Sequence, residues 1–315
     1  TILFLLLVNF IVFYKEIFKV YNYYLNKNDE ILENYFKKIK EIFIETGNKL
    51  KKFEENIWYE YYGKVFDTDS DDDNYDQKIT NEEQLDFAKN FGELEVTKPG
   101  TIGTNSNLVI LTNMDENGKV VDHSHKQAKN DRANQQWHSD SSFKIHPAHA
   151  SILNGRTTPK IGGSTQFICM RNIYNKLDQS IQKQLDDLDA IHHFAHSRSK
   201  IDPTMVSQIE LDKFPPVVHP MVKINPVNHK KAVYFGSHTK SIKNLTDLES
   251  SNLLKYLNDF INNEEYVYSH KWDDNDLIVW DNRSMVHRGQ PYEITEPRYL
   301  VRATVSDTLS TGTYL

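Results

Sequence analysis

Two rhythms of apolar and polar residues run along this chain, and the change between them comes near residue 100. Upstream, Phe36, Ile39, Ile42 and Phe43 recur at helical spacing among Lys and Glu, so residues 15–62 are expected to hold helices. The stretch ITNEEQLDFAKNFGELE predicts one more helix. Thr80 and Glu83 form a capping box, Leu85, Ala88 and Phe91 make its apolar stripe, and Gly92 marks its end. Downstream the apolar runs shorten to NLVILT, ASILNG, STQFICM, KAVYFGS, DLIVWDN and YLVRATV, which are rich in β-formers and separated by turn residues. Two helices interrupt them: one carrying Tyr174, Leu177, Ile181, Leu185 and Leu188 at helical spacing, the other over about 247–261. Many short strands with few helices predict a mainly β fold with flanking helices, a sandwich or barrel of jelly-roll type.

Composition narrows this picture. The chain of 315 residues is long enough for a large core and for one or two domains. Its net charge of −7, with no basic stripe, points away from nucleic acid as a partner. One cysteine, Cys169, excludes an intrachain disulfide and suits a reducing compartment. Of two glycosylation sequons, at Asn244 and Asn282, the second falls in a candidate active-site stretch, where a glycan would block access. The expected location is the cytoplasm.

The first residues are unusual. TILFLLLVNFIVFY (Thr1–Tyr14) is apolar but short for a membrane span. It reads as the cut end of a longer chain, a buried helix, or the remnant of a signal segment, and membrane contact through it is not expected. DTDSDDDNYDQK (Asp67–Lys78) looks at first like a calcium loop. Asp72 stands where such a loop needs Gly and Lys78 where it needs Glu, so it reads as a solvated acidic linker. The expected division is a divergent helical and linker segment over 1–78, of unclear role, and a single domain over 79–315.

The candidate chemistry begins at QQWHSDSSFK. In a strand, residues two apart share a face, so His138 and Asp140 would present an imidazole and a carboxylate side by side. A second histidine from a distant strand would complete a facial triad, the two-His-one-carboxylate set that suits non-haem Fe(II). His192, His193 and His196 (HHFAH) lack the Glu of a zincin motif, and His123 and His125 sit in a polar loop. His287 is better placed, after the strand DLIVWDN and a short turn that holds Asp281, Asn282 and Arg283. Two further features strengthen the case. EPRYLVRATV puts Arg298 and Arg302 on one face of a predicted strand, about 13 Å apart, far enough to serve different anionic groups. In GGSTQF, Thr165 begins a strand after a glycine turn, and its hydroxyl could donate to a carboxylate.

Together these segments resemble the taurine and 2,4-dichlorophenoxyacetate dioxygenase family of Fe(II)/2-oxoglutarate enzymes (TauD/TfdA). ITNEEQLDFAKNFGELE, QQWHSDSSFK, GGSTQFICMRNIYNKL, HPMVKINPVNHKKAVYFGSH, HKWDDNDLIVWDNRSMVHRGQPY and RYLVRATV occur in the family's order over about 79–307. WHSDSSF and YFGSH look closer to the 2,4-dichlorophenoxyacetate branch. The first ~75 residues do not match, and the acidic linker stands where the family has a strand.

The resemblance implies a double-stranded β-helix, with His138, Asp140 and His287 as iron ligands. Thr165 and Arg298 match residues that hold the distal carboxylate of 2-oxoglutarate, and Arg302 matches an arginine that can meet a substrate anion. It also implies oxidative chemistry with O2, in which 2-oxoglutarate gives succinate and CO2 while a small anionic substrate, such as an aryloxyalkanoate, is hydroxylated. Trp137 and Phe143 are expected to wall the pocket, and His219 or His238 to line it. The rival substrates are a sulfonate, a sulfate ester or a purine such as xanthine. A non-catalytic β-barrel binding protein is the rival from another class. The intact triad, Thr165 and both arginines weigh against it, and a zinc hydrolase would need a base that is not evident.

Overall fold

A computed structural model describes residues 78–97, 106–122, 125–226, 228–309 and 311–315. The expectations for residues 1–14, 15–62, the acidic run 67–77 and His123 lie outside these residues.

Four strands form the first sheet, in the order β1 (Leu108–Thr112), β12 (Tyr299–Ser306), β2 (Ala148–Thr157), β10 (Leu277–Asp281), all antiparallel. Three form the second, β11 (Met285–Gly289), β3 (Thr165–Cys169), β9 (Val267–His270). A third sheet runs β13 (Thr313–Tyr314), β5 (Val217–Pro220), β4 (Asp189–His192), β8 (Thr239–Ile242), and β6 (Val222–Ile224) pairs with β7 (Lys231–Val233). Around them lie α1 (Asn81–Lys89), α2 (Lys126–Ala133), α3 (Met170–Lys176), α4 (Gln179–Asp186), α5 (Phe194–Ser199), α6 (Gln208–Lys213) and α7 (Asp247–Ile261). This is a mainly β, jelly-roll (double-stranded β-helix) core with flanking helices. Among the described residues no helix is long and apolar enough to cross a membrane.

The period of two in a strand sorts the first sheet's residues. Ala150, Ile152, Val279, Val301, Ala303 and Val305 turn to one side and form a buried cluster with Ala88 of α1. Thr80 caps that helix through the expected box with Glu83. Gln84 then pins it to the sheet, its amide donating to the Ile152 and Val301 carbonyls at 3.2 and 2.8 Å. The register aligns Trp280, Ser151 and Thr304 across neighbouring strands, with Arg302 opposite Leu153, so all these residues share the other face. In the second sheet His287 faces Phe167, and Gly289 faces Thr165, so Thr165, Phe167 and His287 are on one side. The inner faces of these two sheets meet at Trp280, whose ring lies 5.4 Å from Phe167 and 4.6 Å from His287.

Several local expectations change. The helix expected through Leu188 is two helices. Leu177 is extended at ψ 148° and Asp178 starts the second, although Tyr174, Leu177 and Leu185 all enter one buried cluster. The apolar spacing registered a shared core rather than one continuous cylinder. KAVYFGS is a strand only over Lys231–Val233. Beyond it the chain crosses the WHSD segment so closely that a Cβ on Gly236 would lie 3.0 Å from the Trp137 carbonyl. HHFAH splits between β4, which ends at His192, and α5, which contains His196.

Candidate active site

WHSD is not a strand. Only His138 pairs, through an isolated antiparallel bridge to His287, and a turn begins at Asp140. His138 N–H donates to the His287 carbonyl at 3.0 Å and His287 N–H to the His138 carbonyl at 2.8 Å. Residues paired in this way point their side chains to the same face, and the two imidazole rings lie 4.2 Å apart. The turn, with Ser141 at φ 53°, then swings Asp140 back toward them. His138 Nε2 lies 3.9 Å from Asp140 Oδ1, and His287 Nε2 lies 3.7 Å from Asp140 Oδ2. One ligand atom from each of the three residues lies within 4.8 Å of the others, and all three residues are buried.

This donor set fits a metal ion. Bonds of about 2.0–2.2 Å let one ion bridge ligand atoms about 4 Å apart, so a small contraction closes the triad. Burial holds the His138 imidazole below its usual pKa, against the Asp140 charge and its bond to Gln136. Burial and then His138 hold His287 well below its own. Both rings are therefore neutral at pH 7, the form that ligates. His138 Nδ1 lies 2.7 Å from the Gln136 carbonyl, which fixes the proton there and frees Nε2. Burial works against ionisation of Asp140. Arg302, followed by His287, His138 and the Ser151 hydroxyl, outweighs it and keeps the carboxyl well below the usual carboxylate range.

Asn282 organises the surroundings of Asp140. Its Oδ1 accepts from the Asp140 N–H at 3.1 Å and from Trp280 Nε1 at 3.0 Å. Its Nδ2 donates to Ser151 Oγ at 2.9 Å, which in turn donates to Asp140 Oδ2 at 2.7 Å. Ser139 Oγ donates to the Asn282 carbonyl at 2.6 Å. The turn holding Asp281, Asn282 and Arg283 exists as the sequence suggests, but it is buried, and Arg283 is ion-paired to Asp281 at 2.9 Å. Arg302 Nη1 bonds Asp140 Oδ1.

Thr165 opens β3 behind Gly162 and Gly163, both at positive φ. Trp272 Nε1 donates to its Oγ1 at 2.9 Å. An indole nitrogen only donates, so the threonine hydroxyl keeps its own proton for another acceptor. Arg298 lies just before β12 rather than inside it, buried, with Nη1 3.3 Å from Asp131 Oδ1 and its guanidinium 5.4 Å from the centre of the Tyr292 ring.

A cavity of about 350 Å³ reaches His138 and Asp140, and its walls include Phe143, Phe214, His238 and Arg302. The two histidines of the YFGSH and HPMV segments separate here. His238 is in the cavity wall, with its ring 4.8 Å from Phe143. His219 is not among the cavity residues. Its Nε2 meets the Lys144 carbonyl at 3.0 Å and its ring packs edge-on to His192 and Tyr234. The expected aromatic walls also separate. Phe143 lines the cavity, whereas Trp137 lines a different cleft, under the Arg288 guanidinium at 4.2 Å and bonded to Asn262 at 3.0 Å. With Asp140 in a turn, the alternation that would have set both rings to one wall does not operate.

The family model for taurine catabolism dioxygenase TauD and the TfdA family matches residues 75–304. The chain belongs to the TauD/TfdA dioxygenase family. The 2,4-dichlorophenoxyacetate dioxygenase of Cupriavidus pinatubonensis (strain JMP 134 / LMG 1197), described as alpha-ketoglutarate-dependent, is 35% identical over 239 residues, which is 73% of this chain and 82% of that protein. The (S)-phenoxypropionate/alpha-ketoglutarate-dioxygenase of Sphingobium herbicidovorans is 28% identical over 257 residues, 79% of this chain and 83% of that one. The crystal structure of AAD-2 in complex with Mn(II) and N-oxalylglycine aligns with TM-score 0.69 and 36% identity, over 75% of this chain and 84% of that one. This TauD/TfdA member is thus an enzyme, a 2-oxoglutarate-dependent dioxygenase that uses Fe(II), 2-oxoglutarate and O2. Sequence reasoning missed Asn282, Ser151, Gln136 and Trp272 as supports of its site. Only the WDN run, where a buried polar pair follows a tryptophan at a strand end, hinted at the first.

Proposed function

We propose that His138, Asp140 and His287 hold Fe(II), that Thr165 and Arg298 hold the distal carboxylate of 2-oxoglutarate, and that Arg302 faces the anionic group of a small organic acid of the aryloxyalkanoate kind. The observation that most supports this is the convergence of two neutral imidazoles and one ionised carboxylate, with His138 and Asp140 lining a cavity that Arg302 also lines. Bound iron and 2-oxoglutarate supply the oxidation: one oxygen atom of O2 goes to succinate, the other to a substrate C–H bond, and CO2 leaves.

The chain's own share is placement. The Gln136 carbonyl orients His138, and Ser151 and Asn282 orient Asp140. Trp272 turns the Thr165 hydroxyl outward to donate to the cosubstrate. Arg302 already shares Asp140 Oδ1, so it links the ligand carboxylate to the substrate side of the cavity. Phe143 and Phe214 give an apolar wall suited to an aryl body and poor for water. Hydroxylation of a carbon bearing an ether oxygen gives a hemiacetal, which breaks to a phenol and an oxoacid without further help. We place the activity in the cytoplasm, a reading supported by the buried free Cys169 and by the burial of the Asn282 sequon.

The test is an anaerobic titration of apo-protein with Fe(II) and then 2-oxoglutarate, followed by its visible charge-transfer band, with His138→Ala as control. Oxygen and 2,4-dichlorophenoxyacetate are then added, and succinate and phenol are measured. A folded native protein without the band refutes the iron assignment. A band with phenol release no greater than in buffer refutes the aryloxyalkanoate assignment alone.

A further inference from the structure

Arg198 lines the cavity and has no role in the iron, cosubstrate and Arg302 assignment. It lies on α5, which runs Phe194–Ser199, and its guanidinium is at the same cavity as Arg302. Both of its Nη atoms reach only the Asn134 Oδ1, each at a long 3.4 Å, and its Nε has no partner. The Phe194 ring, 5.9 Å away, is its remaining neighbour of note. Among the described residues no carboxylate lies within ion-pair distance of it. Arg302 differs: its charge is met by Asp140.

Arg198 is half-buried, and a cation partly withdrawn from water gains from a counter-charge placed beside it. Burial, and after it the nearby Arg302, push the Arg198 guanidinium down to about 10. Two guanidiniums thus stand at one cavity: among the described residues Arg302 is ion-paired to Asp140, while Arg198 feels Asp140 and Glu210 only at longer range. A ligand anion between them removes the strain, and a planar guanidinium favours a carboxylate, which it can meet with two parallel bonds. Phe143, Phe194 and Phe214 cluster beside this point in tilted and edge-to-face contacts, with centroids 4.9 to 5.5 Å apart, and offer an apolar surface. The cavity of about 350 Å³ is at the small end of ligand pockets, which run from roughly 300 to 1,000 Å³.

We propose that Arg198 is the specificity-determining anchor for the substrate's carboxylate, with Arg302 as the second jaw and the three phenylalanines against the aryl body. This rests on the iron and cosubstrate reading above, and it moves the main anionic contact from β12 to α5.

The experiment uses full-length protein loaded anaerobically with Fe(II) and 2-oxoglutarate. Perturbation of the charge-transfer band is titrated with 2,4-dichlorophenoxyacetate and, separately, with its neutral primary amide, in wild type, Arg198→Gln and Arg198→Lys. The expected result is at least a tenfold loss of affinity for the acid in Arg198→Gln, with part of it regained in Arg198→Lys. Affinity for the amide and for 2-oxoglutarate stays within twofold of wild type, and in turnover the loss falls on substrate KM. Undiminished acid binding by Arg198→Gln overturns the inference, and so does a loss of 2-oxoglutarate affinity in place of substrate affinity. A wild-type protein that forms the band but does not respond to the acid overturns the inference while leaving the iron site standing. Absence of the band overturns the underlying reading as well.

Discussion

Removing the Asn282 side chain with Asn282→Ala should weaken both the fold and the metal site, and the structure sets the scale of each loss. Asn282 is 1% exposed, so water has poor access to the groups it serves. Its Oδ1 accepts two buried donors, the Asp140 N–H and Trp280 Nε1. Each buried donor left without a partner costs about 1–3 kcal/mol, so the pair costs about 2–6 kcal/mol. That is a large fraction of a typical folding free energy of about 5–15 kcal/mol. The substitution also releases Ser151, which holds Asp140 Oδ2. Losing such outer support of a ligand typically costs about 10–100-fold in metal affinity. Urea unfolding of apo-protein gives the first number and anaerobic Fe(II) titration at a temperature where the variant is folded gives the second. An apo-stability within about 0.5 kcal/mol of wild type, a margin usual for changes at unimportant surface sites, would refute the reasoning, since it would mean neither donor depended on this amide. Asn282→Asp is the sharper companion. It preserves shape and the Oδ1 acceptor but replaces the donor to Ser151 by an acceptor and sets a second negative charge beside Asp140. Metal affinity should fall, and stability should fall at least as far as in Asn282→Ala, because the new carboxyl is buried beside Asp140 without a counter-charge of its own.

Other outcomes follow from single contacts. Thr165→Val should raise the KM for 2-oxoglutarate about tenfold, the equivalent of 1.4 kcal/mol, and leave Fe(II) affinity unchanged; Thr165→Ser should restore it, and steady-state kinetics in 2-oxoglutarate decide. Gly162→Ala places a Cβ 2.5 Å from the Pro291 carbonyl at a φ of 77°, so it should displace the turn that feeds Thr165, lowering both Tm and 2-oxoglutarate affinity. His219 carries an acid-sensitivity prediction. Burial, then Lys223, lower it to about 3, against hydrogen bonds to the Lys144 and Ser142 backbone. Between the unfolded value of about 6.5 and the folded one, only the unfolded chain takes the proton, so stability falls as pH falls, by about 1.4 kcal/mol per pH unit for this group. His219→Asn should flatten that slope by about one proton between pH 6 and 4 in urea unfolding series; an unchanged slope sinks the assignment. Phe143→Ala, in a cluster with Phe194 and Phe214, should cost about 3–5 kcal/mol in thermal or urea unfolding.

What the sequence disclosed depended on whether a signal was local. The α1 cap is a three-residue spacing and reads directly, as does the Asp247–Ile261 helix with its own Thr246 and Glu249 box. His138, Asp140 and His287, which the structure brings together, could be named as candidates because WHSD and VHRG carry chemistry as well as pattern. Their geometry could not be read this way. The strand rule would put His138 and Asp140 on one face, whereas Asp140 comes to His138 through a turn with Ser141 at φ 53°. That turn is held by Asn282, 142 residues away along the chain, a contact no local pattern encodes. His219 and His238 show the same limit. Both lie in matched segments, yet one is packed behind the Lys144 carbonyl and the other reaches the cavity. Trp137 and Phe143 were separated for the same reason as the triad's geometry, since parity along a strand predicts nothing across a turn.

The His138–His287 bridge has a further consequence. The two proposed ligands lie nearly half the chain apart, and closing a loop of that length is an entropic cost that grows only slowly with length but must be met by something. Here the fold meets it with two main-chain hydrogen bonds that do not involve either imidazole. An arriving ion therefore does not have to gather a wandering chain. Its binding energy goes into the ion's own bonds, and its uptake becomes a gauge of how many molecules have the WHSD segment correctly seated on the second sheet.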